Sequence, residues 1–219
     1  MEGSSVPFEE AGAVVPVQDA GASAPSAAHI EAEPREWQPR VLWVGARQLA
    51  GAASFFFLSF VFAYFYLRSL DLNKNWKIGH VDPPIGMGVA IVVLLVVSAG
   101  LMRLAATRPQ EAVRPGGGAL LLGLAAVVLQ FIEYVSLGFG LASGGYASVF
   151  IGWTALYAVF AVACLYWIET QVATVWRAKR EGIWENGGEV LRAGLEACSF
   201  FWAYYVAIGV VAFVILYLL

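Results

Sequence analysis

Apolar residues in this chain come in long unbroken runs rather than in alternation with polar ones. Five such runs stand out, at about 41–69, 84–107, 117–139, 146–176 and 195–219. Each meets the roughly 20 residues that a helix needs to cross the hydrocarbon core of a bilayer. The second opens after Pro83-Pro84, a pair suited to the start of a helix. The fourth is long enough to project beyond the bilayer. Between the third and fourth, the connector GFGLASGG (138–145) is short and uncharged, which makes those two helices antiparallel neighbours. The pattern therefore predicts an all-α integral membrane protein, with five transmembrane helices forming a bundle over 37–219. No internal repeat is visible, and no inverted pair of Gly/Pro-broken spans marks a transporter core.

Composition supports the membrane assignment. The chain is 60% hydrophobic and only 13% charged, where a soluble domain carries about 25% charge. The segment 1–36 differs in kind: it is rich in Ala, Gly, Ser, Pro and Glu and holds seven of the sixteen acidic residues. It reads as a disordered acidic tail. No basic region followed by an apolar stretch opens it, so no signal peptide is expected. Without it the remainder is mildly basic, as short membrane loops are, and no nucleic-acid surface is present.

The basic residues divide unequally between the two sides. Ten, among them Arg35, Arg40, Arg47, Arg103, Arg108, Arg114 and Arg192, flank one side of the spans, against Arg68, Lys74 and Lys77 on the other. The positive-inside rule then puts the N-terminus in the cytoplasm and the C-terminus outside. Trp37, Trp43, Trp176 and Trp184 fall near one interface as an aromatic belt. The localisation that follows is multi-pass, in a bacterial inner membrane.

Candidate chemistry is sparse. Cys164 and Cys198 both lie in apolar spans, where cysteine is ordinarily a small hydrophobe. His29 and His80 lie outside the spans, so no pair of facing helices supplies haem ligands and no Cys/His cluster supplies copper. No cofactor or metal is expected on this chain, and no catalytic residue. Glu133 is the exception that demands an account, being the only formally charged residue between Gly116 and Ile168. An ionised carboxylate in hydrocarbon costs about 3 kcal/mol or more, so it must face protein, bind a partner or carry a proton. Gln130 lies three residues before it, on the same helix face. Internal hydrogen bonding that fixes helix packing is the plainer role, since a proton path needs several ionisable groups and the third span has one.

Several stretches resemble a known family. AASFFFLSFVFAYFYLRS (52–69), LQFIEY (129–134), YASVFIGWTALYAVFAV (146–162) and LEACSFFWAYY (195–205) are similar, in the same order, to helices of subunit III of haem–copper oxidases. Many members have seven helices and shorter bacterial ones have five. Losing two N-terminal helices leaves the orientation that loop charge gives. The resemblance implies a divergent, five-helix, non-catalytic accessory subunit. It would sit beside catalytic subunit I, which carries haem and copper, and subunit II, and would stabilise the catalytic subunit and hold phospholipid between its helices. Gln130, Glu133, Tyr134, Glu196 and Trp202 are the positions retained, and are candidates for lipid or subunit contact.

The departures are equally specific. The family's membrane-buried glutamate falls at Ala53. Its two histidines on the fourth span fall at Thr154 and Tyr157, and its His and Asp on the fifth fall at Ala203 and Val206. Ala53 implies a weaker part in proton uptake than relatives with glutamate there. Loss of the histidines and acids keeps open a subunit III-like role in a nitric oxide reductase or other respiratory complex. A small transporter or channel is the reading from another class. Among the remaining candidates, Glu196 is expected in the first turn of the fifth helix, where the macrodipole favours an acid. Glu169 is expected to pair with Arg177 or another basic group. Arg108 and Arg114, beside the inner headgroups, are candidates to hold an anionic lipid.

Overall fold

The computed structural model describes residues 37–71, 76–79, 81–182 and 184–219. The tail assignment over 1–36, with Arg35, therefore lies outside the described residues, as do Lys74, His80 and the side chain of Trp184. Among the described residues the chain is all-helical. The helices are α1 (Gln38–Ser69), α2 (Ile85–Thr107), α3 (Val113–Ser136), α4 (Gly145–Arg180) and α5 (Trp184–Phe213). A short 3₁₀ turn, Pro109–Glu111, precedes α3, and a π-helical turn, Val214–Leu218, follows α5. Five helices are long and apolar enough to cross a membrane.

Local chemistry sets the ends. Pro39 opens α1, where its missing N–H is not needed. Pro84 opens α2, and its carbonyl accepts from the N–H groups of Met87 and Gly88 at 3.0 and 3.2 Å. Arg108 leaves the helical region (φ −124°, ψ 68°) because Pro109 follows it. The third helix begins at Val113, ahead of the apolar run at 117, because Arg114 and Pro115 fit within its first turn. It also stops at Ser136 rather than 139. Leu137 turns extended, while its N–H and the Ser136 hydroxyl both bond the Glu133 carbonyl. The fourth starts after Gly144, whose φ of 113° suits glycine and strains any side chain. Its 36 residues span about 54 Å, well beyond a hydrocarbon core of about 30 Å. The fifth begins at Trp184, well before the apolar run at 195, because the polar residues in between are helical without being lipophilic.

Helix neighbours form a ring in the order α1, α5, α2, α3, α4 and back to α1, with α4 and α5 also touching across the middle. The third and fourth helices pack together as their short connector requires. In the most apolar stretch of each helix, 44% of residues are buried in α4 and α5 but only 17% in α1. The first helix is therefore peripheral, and its buried residues Ala46, Ala50, Phe57 and Tyr64 form one narrow seam. The α1–α2 connector docks on the start of α4. Tyr146 N–H donates to the Trp76 carbonyl at 2.9 Å, and the Lys77 ammonium stands over the Tyr146 ring at 4.5 Å while pairing with Asp82 at 2.9 Å.

The centre of the bundle is aromatic. Tyr157 and Tyr205 stack at 4.3 Å and clasp each other's helices, since each hydroxyl donates to the other's backbone carbonyl. Gly209 makes room for this, because a Cβ there would overlap the Tyr157 hydroxyl and stand 2.8 Å from Cζ. Tyr157 is held by the clasp and has nowhere to move. Gly209→Ala should therefore cost about 1–3 kcal/mol despite its better helix propensity, read as a lower thermal-unfolding midpoint in detergent. An unchanged or raised midpoint would show that the tyrosine pair is loosely held.

Two expectations fail. Glu196 is not in a first turn, because α5 starts at Trp184; it lies well inside the helix, half-buried, and its Oε1 accepts from Arg192 Nε at 2.9 Å. Among the described residues the ion pairs are Lys77–Asp82 and Arg192–Glu196, so Glu169 does not pair with Arg177. Glu169 is exposed on α4. Arg177 sits two turns further along it, beyond the one-turn spacing at which helical side chains meet.

Candidate functional site

The inward face of α3 is built from small residues, Gly116, Ala119, Gly123 and Ala126, at helical spacing. Small residues let neighbouring helices approach closely in lipid. The same face continues through Val127 to Gln130 and Glu133, which the i, i+3 spacing brings side by side. Glu133 is fully buried and Gln130 only 7% exposed. Gln130 Nε2 donates to Glu133 Oε2 at 2.6 Å.

The second partner comes from the far end of the chain. Tyr217, carried on the π-helical turn, places its hydroxyl 2.8 and 2.9 Å from the two carboxyl oxygens of Glu133. Its ring stacks on Phe213 at 5.0 Å and meets Phe150 edge-on at 5.3 Å. Across from it Gly88 leaves the space, since a Cβ there would stand 2.6 Å from the Tyr217 ring. Glu133 is therefore held by two neutral donors from α3 and the end of α5, and belongs to neither ion pair among the described residues. Such a cluster fixes helix positions. No group of three or more His, Cys, Asp or Glu among the described residues is placed to hold a metal.

The other candidate positions scatter. Tyr134, one residue on, buries its hydroxyl beside Thr154, which gives its own proton to the Phe150 carbonyl at 2.6 Å. Trp202 forms a separate polar station. Its indole N–H donates to Ser98 Oγ at 3.1 Å, and Ser98 donates to the Ala119 carbonyl at 2.6 Å, joining α5, α2 and α3. Arg108, just after α2, and Arg114, in the first turn of α3, are both exposed. Arg47 and Arg180 cover the rings of Trp43 and Trp176 at 5.4 and 5.5 Å.

Sequence reasoning missed Tyr217, Ser98 and the Tyr157–Tyr205 clasp. Tyr217 lies 84 residues from Glu133, and no local spacing links them. It also missed an apolar cleft of about 320 Å³ between α1 and α5, floored by Trp153. In its wall the hydroxyls of Ser54 and Tyr204 meet at 2.5 Å.

The fold and site thus define a helical, multi-pass membrane protein with a hydrogen-bonded buried carboxyl. No family model matches the chain, and no curated protein matches it.

Proposed function

We propose that the chain is a non-catalytic, subunit III-like accessory subunit of a haem–copper respiratory oxidase. It lies in a bacterial inner membrane with its N-terminus in the cytoplasm, against catalytic subunit I and subunit II. The observation that carries this reading is that three of the four stretches with family resemblance meet around one core. Phe57 of α1 contacts Tyr157 of α4 and Tyr205 of α5 at 6.0 and 6.1 Å, and Trp202 stacks near Tyr205 at 5.8 Å. Residues at the family's histidine positions, Thr154 and Tyr157, bond backbone carbonyls, which is support rather than chemistry. The α1–α5 cleft is apolar, as a bound lipid chain requires, and Arg108 and Arg114 supply charge for an anionic headgroup.

Purification in mild detergent tests this. Haem is expected in the spectrum only when larger partner chains copurify; a homogeneous preparation with no haem-bearing partner would overturn it. With Ala53 on the first helix, deleting the subunit is expected to leave proton uptake near normal at first and to hasten inactivation during turnover. Immediate loss of proton uptake would count against a supporting role. A nitric oxide reductase or other respiratory complex is the alternative partner, favoured by the missing histidines and acids, and the same spectrum separates the two. A transporter or channel fits less well, because the Trp202–Ser98 station and the Gln130–Glu133–Tyr217 cluster are separate hydrogen-bonded groups. Transport by the purified chain alone would revive that reading.

A further inference from the structure

A cavity of about 30 Å³ lies between α2, α3, α4 and α5. Its polar wall includes Gln130, Trp153, Thr154, Tyr157 and Tyr217, and the Trp153 indole N–H has no hydrogen-bond partner among the described residues. A single water needs roughly 10–15 Å³ measured in the same way, so the space suits one or two waters.

The hydrogen bonds around it decide what it takes. Tyr217 gives its proton to Glu133, Thr154 gives its to the Phe150 carbonyl, and Tyr157 gives its to the Tyr205 carbonyl. Each of these hydroxyls then has only lone pairs to offer. Gln130 commits one amide N–H to Glu133 and has a second to give. The wall can therefore accept from a guest at these hydroxyls and donate to it from Gln130. Dioxygen, xenon or an alkyl chain donates nothing, whereas water both donates and accepts.

We propose that this cavity is an internal water site, with the water donating to Thr154 and Tyr217 and accepting from Gln130. Both partners of Glu133 would then be tied to α4 as well, turning a two-helix contact into a joint between α3, α4 and the end of α5. The assignment is independent of which complex the chain serves.

A density map of the intact purified chain, at a resolution that shows waters, tests it. The expected result is a peak in the cavity about 2.6–3.2 Å from Thr154 and Tyr217 oxygens. Thr154→Val, which keeps the shape and removes one acceptor, should weaken or abolish the peak while the Glu133–Tyr217 pair persists. A cavity without a peak, a xenon atom in it under pressure, or a full-strength peak in Thr154→Val would each overturn the proposal.

Discussion

Replacing Glu133 with alanine is expected to destabilise the bundle by about 3 kcal/mol, as two buried donors lose their acceptor at about 1–3 kcal/mol each. Those donors are the Gln130 amide and the Tyr217 hydroxyl. Glu133→Gln keeps an acceptor oxygen in the same place and should cost about 1 kcal/mol or less. Tyr217→Phe removes one donor and leaves Gln130 on the carboxyl, so it should fall between the two. Combined in a double-mutant cycle, Glu133→Ala and Tyr217→Phe should be strongly non-additive, since each removes the same bond. Reversible unfolding in detergent gives the four stabilities. If Glu133→Gln proves as damaging as Glu133→Ala, the carboxyl is there for its charge and not for its acceptor oxygens. If, in the proposed oxidase, Glu133→Gln assembles normally but proton-coupled turnover collapses, the helix-packing role of Glu133 is overturned.

The second large effect belongs to Trp202. Its side chain is almost wholly buried, its indole N–H is taken up by Ser98, and its ring lies against Tyr205. Trp202→Ala removes the largest kind of side chain from a packed centre and should cost about 3–5 kcal/mol. Trp202→Phe keeps most of the volume and gives up the N–H bond, so about 1–2 kcal/mol is expected. Ser98 retains its bond to the Ala119 carbonyl in either variant. Thermal unfolding of the two variants should separate packing from hydrogen bonding. Equal losses would mean that the Ser98 link dominates and the ring is loosely packed.

Much of this architecture was legible because lipid enforces a simple rule. A spanning segment must be apolar and must satisfy its own backbone, so the five runs revealed five helices. The same rule explains what was illegible. Hydropathy measures where a helix meets lipid, and says nothing of where it ends; the polar turns from Trp184 onward and the extension of α4 to Arg180 followed other constraints. Glu196 was misplaced for this reason. Gln130 beside Glu133 was readable from spacing, because helical neighbours are written three and four apart. Tyr217 was not, because a contact between distant helices depends on how they rotate against each other.

That rotation hangs on a single turn. Val214–Leu218 is wound as a π-helix, wider than the α-helix before it, and a π-turn amounts to one residue slipped into an α-helical count. Every side chain beyond such a slip is turned by about 100° from where an unbroken helix would point it. Tyr217 lies inside this turn, so its bearing on Glu133 is set by the π-winding, apart from the long helix that Tyr157 and Trp202 lock in place. Homologous chains that lack the slip would aim a different residue at the carboxyl.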